Sequence, residues 1–307
     1  MEMNNFALIG AAGFIAPRHI KAIHETGNKL VAALDPHDSV GILDRWFPDA
    51  AYFREPERFD RYLEKCRRQG DGAVDYVSIC SPNYLHDAHI RMALRVGADA
   101  ICEKPLVLNP WNLDALRELE SETGRKVWTI LQLREHPTII NLKQQVEGSS
   151  KHHTVNLTYI APRGNWYQYS WKGDFEKSGG IAANIGVHFF DMLHWIFGKR
   201  ISVELSEASE TTCAGRLQFE NAEVDWLLSI DPKRSPHCSS ETRNTALRTL
   251  LVDDEVIDFS TGFEGLHSTV YQKILEGNGF GIEDTRDSIE TLHEIAMQHN
   301  RLEAAHE

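Results

Sequence analysis

Phe6-Ala7-Leu8-Ile9-Gly10-Ala11-Ala12-Gly13-Phe14-Ile15-Ala16-Pro17 is the stretch on which the fold turns. Residues 6–9 form a short apolar run that reads as a strand. Pro17 suits the first turn of a helix over 17–26, in which Ile20 and Ile23 share a face and Gly27 suits the stop. Between strand and helix, Gly10-x-x-Gly13-x-x-Ala16 allows a tight turn that presents backbone N–H groups and a helix N-terminus to a pyrophosphate. The spacing departs from the usual G-x-G-x-x-G. Asp35 strengthens it: at the end of a second strand over 30–34, it stands where an acid accepts hydrogen bonds from the adenosine ribose hydroxyls. Asp35-Pro36-His37-Asp38-Ser39 holds no Arg or Lys to meet a 2′-phosphate, so NAD is expected rather than NADP. An ordinary tight turn with a helix-capping Asp is the alternative. The full succession of strand, turn, helix, strand and acid speaks against it.

Working outward, apolar runs at 74–80, 100–102 and 127–131 read as further strands, separated by helices over 85–96 and from Asn109-Pro110 to Gly124. Strand–helix alternation with near-continuous apolar strands predicts a parallel sheet covered on both faces. The pattern changes after residue 131. Strands are expected at 153–160, 204–209, 214–219, 224–230, 246–252 and 256–259, with helices at 187–197, 266–276 and 285–301. Consecutive strands with short turns predict an antiparallel sheet. The expected architecture is α/β: a Rossmann dinucleotide-binding domain over 1–131, then an α+β domain over 132–307 with an open, mostly antiparallel sheet that serves substrate binding and oligomerisation. Residues 232–243 are the best candidate for a mobile loop.

The 307 residues are 42% hydrophobic and 25% charged, as in ordinary globular proteins. A formal net charge of -13 argues against nucleic-acid or anionic-membrane partners, both of which need a basic footprint. Cys66, Cys80, Cys102, Cys213 and Cys238 are scattered without a C-x-x-C pair, which fits reduced thiols in a cytoplasmic protein. Met1-Glu2-Met3-Asn4-Asn5 lacks the basic and apolar regions of a signal peptide. The apolar stretch 181–197 is interrupted by Asn184, His188, Asp191 and His194, and is too short and polar to span a bilayer.

Residues with chemistry cluster in three further places. Ser81-Pro82-Asn83 follows a strand end and leads to His86; ligands of open α/β sheets lie beyond strand carboxyl ends, though a plain turn is the simpler reading. Ile101-Cys102-Glu103-Lys104-Pro105-Leu106 follows another strand end. Pro105 biases Lys104 to an extended backbone, and a lysine there can stabilise an oxyanion or relay a proton, where a generic lysine would make a surface ion pair. Asn184, His188 and Asp191 lie at i, i+4 and i+7, so one helix face can carry all three. His188 is a fair general base that Asp191 could orient. His188, His194 and Asp191 could instead ligate a metal, but no H-E-x-x-H signature supports that, and no metal is expected. Arg163-Gly164-Asn165-Trp166-Tyr167 and Ser170-Trp171-Lys172-Gly173 are rich in donors and rings. Arg163 and Lys172 suit phosphate or carboxylate, against the plainer reading of a loop packed on a neighbouring subunit.

The glycine turn, Ser81-Pro82-Asn83-x-x-His86, Glu103-Lys104-Pro105-Leu106 and the segment 179–191 together resemble the glucose–fructose oxidoreductase, inositol dehydrogenase and rhizopine-catabolism superfamily. The resemblance covers essentially the whole chain. It implies hydride transfer between nicotinamide and a sugar carbinol carbon. Residues 7–19 and Arg163-Gly164-Asn165-Trp166-Tyr167 look more narrowly like the UDP-N-acetylglucosaminuronate 3-dehydrogenases of bacterial O-antigen synthesis, which lead to 2,3-diacetamido uronic acids.

That resemblance implies oxidation of the C3 hydroxyl of a UDP-linked uronic acid, with Lys104, His188 and Asn184 at the chemistry. NAD would meet Gly10, Gly13, Phe14, Ile15, Asp35, Ser81, Asn83, His86, Glu103 and Lys104. Substrate would meet Arg163, Asn165, Tyr167, Ser170, Lys172, Asn184, His188 and His267. Two departures from the superfamily stand out. The glycine turn is one residue longer, and Asn184 occupies the place of a frequent Asp, which moves the acid–base burden to His188 and Lys104. Reoxidation of NADH by 2-oxoglutarate and a homotetramer are further expectations. The rival readings are another sugar or cyclitol dehydrogenase of the superfamily, an NAD-dependent glycosidase, and a non-catalytic NAD-binding regulator.

Overall fold

The computed structural model describes residues 3–70, 72–235 and 245–306. Residues 236–243 of the loop expected to be mobile, and Cys238 with them, lie outside the described residues. The chain forms two compact units. The first comprises 1–107, 111–132 and 264–285; the second comprises 108–110, 133–263 and 286–307.

In the first unit, strands and helices alternate from the start: β1 (Asn5–Ile9), α1 (Ala16–Glu25), β2 (Lys29–Leu34), α2 (Leu43–Trp46), β3 (Ala51–Phe53), α3 (Pro56–Gln69), β4 (Tyr76–Ile79), α4 (His86–Arg95), β5 (Asp99–Cys102), α5 (Pro110–Thr123) and β6 (Val127–Thr129). The strands pair in parallel in the order β3-β2-β1-β4-β5-β6. This is the doubly wound arrangement that places β1 and β4 at the switch point. Phe6, Leu8, Val77, Ile79, Ala100 and Ile101 are fully buried, as strands covered on both faces require. The strand β3 and helix α3 are not foreseen in the sequence reading. A strand of three residues gives little periodicity, and α3 buries only Phe59 and Leu63 along a narrow stripe of a heavily charged segment.

In the second unit come α6 (Pro137–Glu147), β7 (His153–Ile160), α7 (Trp166–Tyr169), α8 (Phe175–Ser178), α9 (Val187–Phe197), β8 (Arg200–Ala208), β9 (Thr212–Phe219), β10 (Ala222–Ser229), β11 (Leu247–Val252) and β12 (Glu255–Val256). The sheet order is β12-β11-β7-β10-β9-β8. All pairs are antiparallel except β7 with β10, which is parallel. The expectation of an open, mostly antiparallel sheet holds, and the one parallel pair makes the sheet mixed. The long excursion over 161–221 lets β10 return beside β7 in the same direction, a connection no hairpin could make. One face is covered by α9, whose Phe190 packs edge-on against Trp226 at 5.1 Å and whose His194 and Phe197 meet Phe219. The other face is polar and carries the exposed ion pair of Arg216 with Asp225.

Two helices follow: α10 (Leu266–Leu275) and α11 (Ile282–His306). Although α10 lies in sequence between two stretches of the second unit, it belongs to the first. Its Val270, Tyr271 and Ile274 join the same core as Ile20 and Ile23 of α1, Leu8 of β1 and Ile101 of β5. Burying each such aliphatic side chain is worth roughly 1.5–3 kcal/mol, which is sufficient reason for the segment to return. No helix among the described residues is long and apolar enough to cross a membrane.

Candidate active site

The glycine turn after β1 is built on backbone contacts that leave no room for a side chain. Gly10 has φ +86°, and a Cβ there would fall 2.6 Å from the Cys80 carbonyl oxygen. A Cβ on Gly13 would lie 3.0 Å from the Gly10 oxygen. The turn closes by Gly13 N–H donating to Gly10 O at 3.0 Å, and Gly10 N–H donates to Leu34 O at 2.8 Å. Ile15 is the residue before α1, Phe14 is 91% exposed, and no acid lies in the first turn of α1 to compete with an anion. Asp35 is tied to the same turn: its Oδ2 accepts the Ala12 N–H at 2.9 Å and its Oδ1 the His37 N–H at 2.8 Å. A bare backbone turn, a helix N-terminus and a buried acid at the end of β2 fit a dinucleotide.

Beyond β4, Ser81 and Asn83 are buried, and the Ser81 hydroxyl meets His89 Nδ1 at 2.8 Å. Burial pushes the His89 imidazole down to about 4. His86 faces two backbone carbonyls, Pro105 O from Nδ1 at 2.7 Å and Ser81 O from Nε2 at 2.9 Å, so it clamps the loops that follow β4 and β5. Burial lowers its pKa as well. The Lys104–Pro105 peptide is cis, and Lys104 is half-buried. Its backbone N–H donates to Glu103 Oε2 at 3.3 Å. Glu103 itself is enclosed by His19 of α1 and His267 of α10. Its Oε1 lies 2.8 Å from His19 Nε2 and 3.3 Å from His267 Nε2. His267, expected at the substrate, is thus a buried neighbour of Glu103, only 4% exposed.

In the second unit, Asn184 lies in a π-helical turn, residues Ala182–Gly186, that runs into α9. Such turns recur at functional sites. Asn184 Nδ2 donates to the buried Tyr167 hydroxyl at 2.7 Å. Burial raises the Tyr167 pKa and keeps the phenol neutral. Asn184 and His188 are both half-buried. Asp191 is engaged by Arg134, with Nη2–Oδ1 at 2.7 Å and Nε–Oδ2 at 3.0 Å. His194, the other histidine weighed as a metal ligand, bonds Thr291 Oγ1 from Nε2 at 2.8 Å. Arg163 and Asn165 are exposed at the start of the α7 loop. Ser170 Oγ donates to Tyr167 O at 2.8 Å. Lys172 Nζ stands 4.7 Å from the Trp171 ring centroid and 5.6 Å from that of Trp166. Desolvation, then the Arg163 charge, lowers the Lys172 pKa.

Three participants, Tyr271, His19 and Arg134, escape the sequence reading. Tyr271 stands four after His267, and His19 stands four before the buried Ile23, so spacing alone would have placed each on an inward helix face. Arg134 gives no such signal. It lies in a 3₁₀ turn, Gln132–Glu135, whose partner is 57 residues away.

Residues 4–131 match an oxidoreductase-family NAD-binding Rossmann fold, and residues 142–241 match the C-terminal alpha/beta domain of the same family. Among solved structures, the chain is similar to the WlbA (WbpB) dehydrogenase of Thermus thermophilus in complex with NAD and α-ketoglutarate. The match has 50% identity and a TM-score of 0.92, and covers 96% of this chain and 95% of that one. The same dehydrogenase in complex with NAD and UDP-GlcNAcA matches at 49% identity, TM-score 0.92 and the same coverage. The WlbA dehydrogenase of Bordetella pertussis shares the fold, at 19% identity and a TM-score of 0.79 over 98% of this chain and 96% of that one. D-glucoside 3-dehydrogenase of Escherichia coli is 28% identical over 184 residues, which are 50% of this chain and 51% of that protein. An uncharacterized oxidoreductase of Synechocystis is 25% identical over 66% of this chain, and the match spans 61% of that relative's own length. With both domain models matched in order and half of all residues shared with a solved member, the chain belongs to the Gfo/Idh/MocA oxidoreductase family and is built as an NAD-binding Rossmann domain followed by the family's α/β domain.

Proposed function

We propose that the chain oxidises the C3 hydroxyl of UDP-2-acetamido-2-deoxy-D-glucuronate to the 3-keto sugar, with NAD. The observation that carries this reading is the 49% identity, across 96% of the chain, to a dehydrogenase crystallised with NAD and UDP-GlcNAcA. When bound, NAD supplies the acceptor for the hydride that leaves the carbinol carbon. Gly10, Gly13, Phe14 and Ile15 would hold the pyrophosphate at the turn, and Asp35 the adenosine ribose. Ser81, Asn83, His86 and Glu103 would shape the remainder of the cofactor site.

The proton of the reacting hydroxyl would pass to His188 or to Lys104, because the Asn184 amide cannot act as a base. Asn184, already bonded to Tyr167, would fix the hydroxyl, and a Lys104 ammonium would stabilise the developing alkoxide. Arg163, Asn165 and Lys172 offer donors for the uronate carboxylate and the diphosphate. Tyr167 and Ser170 hold that loop in shape through the bonds described above. Reoxidation of NADH by 2-oxoglutarate, which would leave as the 2-hydroxy acid, is supported by the α-ketoglutarate held by the Thermus enzyme. The same reading makes the protein a cytoplasmic homotetramer in lipopolysaccharide O-antigen synthesis, supplying a 3-keto sugar to a transaminase.

Incubation with NAD and UDP-N-acetylglucosaminuronic acid, with and without 2-oxoglutarate, tests it by NADH absorbance and mass spectrometry of the sugar. Loss of two hydrogens from the sugar is the expected result. A free-sugar substrate is the second reading, favoured by the likeness to D-glucoside 3-dehydrogenase; turnover independent of the uridine diphosphate group would establish it instead.

A further inference from the structure

Glu103 is a buried acid at the centre of a hydrogen-bonded chain that no acid–base role above uses. Its Oε1 faces His19 Nε2 at 2.8 Å and His267 Nε2 at 3.3 Å. Its Oε2 accepts the Lys104 N–H at 3.3 Å. On the far side of His19, Nδ1 meets the Tyr271 hydroxyl at 2.7 Å, and that hydroxyl meets the Ser78 hydroxyl at 2.7 Å. His19, Ser78, Glu103 and Tyr271 are at most 5% exposed.

The donors and acceptors can be assigned by counting. A carboxylate only accepts, so both imidazoles must carry a proton on Nε2. A neutral His19 then has a bare Nδ1, which takes the Tyr271 O–H, and the Tyr271 oxygen takes the Ser78 O–H. Every bond in the chain is satisfied with one negative charge, on Glu103. The surroundings agree. Burial alone would raise Glu103, but the hydrogen bonds from His19 and His267 hold it well below the usual carboxylate range. Burial lowers His19, and raises Cys80, Cys102 and Tyr271, so those groups face Glu103 uncharged, while His86 spends its ring nitrogens on the Pro105 and Ser81 carbonyls. Lys104 is the next residue, and its backbone N–H is the group that Glu103 Oε2 holds.

We propose that His19 and His267 are positioning residues that act through Glu103, keeping an ionised carboxylate beside Lys104 that fixes the lysine's backbone N–H and favours its ammonium form. The inference rests on the dehydrogenase reading for the part Lys104 plays. A competing use of the same atoms is a metal site, since His19, Glu103 and His267 offer ligand atoms within 4.8 Å of one another. The 2.8 Å separation of His19 and Glu103 and the onward bond to Tyr271 match a proton-bearing ring.

The experiment compares the full-length parent with His267→Leu and His267→Gln, the latter keeping an N–H donor. Expected for His267→Leu is a kcat at least about tenfold lower, with KM and the NAD Kd changed by less than about threefold. The limb of the kcat–pH profile assigned to Lys104 moves to lower pH as its neighbouring charge is lost. His267→Gln recovers most of kcat and restores the limb. Equal loss in both variants, or unchanged kcat per folded protein with only a lower Tm, would overturn the proposal. So would stoichiometric zinc in the parent whose removal reproduces the defect. Infrared difference spectra keep the two readings apart. A protonated carboxyl band that appears in His267→Leu, is absent in the parent and disappears again on adding Glu103→Gln supports the network even if the parent does not turn over UDP-GlcNAcA, a result that sinks only the substrate reading. Absence of that band overturns the network whatever the turnover.

Discussion

Arg134 grips both carboxylate oxygens of Asp191, with distances of 2.7 and 3.0 Å and both side chains almost wholly buried. Asp191 lies on α9 one turn beyond His188, so the pair pins the helix that carries the proposed base. Removing one partner takes the bidentate ion pair from a buried charge. Asp191→Ala is expected to cost about 3–5 kcal/mol in urea unfolding. The double variant Arg134→Met, Asp191→Leu should lose less than the single one, because both charges are then removed together. An Asp191→Ala protein of parental stability would remove the ion pair from the account of α9.

Gly10→Ala tests the cofactor turn. The positive φ and the 2.6 Å approach to Cys80 O leave no place for a methyl group, so the loop must shift. Expected is an NAD affinity at least about tenfold weaker by calorimetry, with the fold retained by circular dichroism. Parental affinity would show that the pyrophosphate does not rest on this turn.

Asp35→Ala should weaken NAD and spare the sugar. Its carboxylate accepts from Ala12 and His37, so its loss removes both the proposed ribose acceptor and a tie on the turn. The NAD Kd should rise about tenfold, while KM for UDP-GlcNAcA at saturating NAD stays within about twofold. An unaltered NAD Kd places the ribose elsewhere.

Lys104→Met should abolish turnover and leave NAD binding within about threefold of the parent. Methionine keeps the length of the side chain and removes its charge. Stopped-flow and equilibrium binding on the same preparation separate the two effects. Measurable turnover near the parental rate would take Lys104 out of the chemistry.

Stability should fall in mild acid. Burial holds His194 at about 4 in the folded chain, against an ordinary 6.5. Between those values the unfolded chain binds the extra proton, so this contribution is complete above about pH 6.5 and is lost as pH falls towards 4. A shift of that size is worth about 3 kcal/mol. His89, also held at about 4 by burial, acts in the same direction. Denaturant midpoints measured from pH 7 to 4 should drop, and His194→Gln should flatten the slope in that window. A slope unchanged by the substitution would mean that His194 stays neutral in neither state more than the other.

Much of the first unit is legible in the chain itself. Gly10, Gly13, Asp35 and the apolar runs of β1, β2, β4 and β5 are local signals, since a strand buried on both faces must be continuously apolar and a backbone turn that admits no Cβ must be glycine. The amide at Asn184, the lysine before Pro105 and the histidine at 188 are likewise read directly from spacing. The mixed sheet is not, because β7 pairs with β10 and β11 across long intervals, and alternation within a strand does not state its partner or direction. Only the fold returns α10 to the first unit, where a buried apolar face repays its distance in sequence. That return brings His267 and Tyr271 to Glu103 and His19, and so turns a histidine expected at the substrate into a neighbour of a buried carboxylate. Local sequence determined which residues could carry chemistry. Tertiary structure decided which of them share a charge, because hydrogen bonds and desolvation act between side chains that only folding brings within reach.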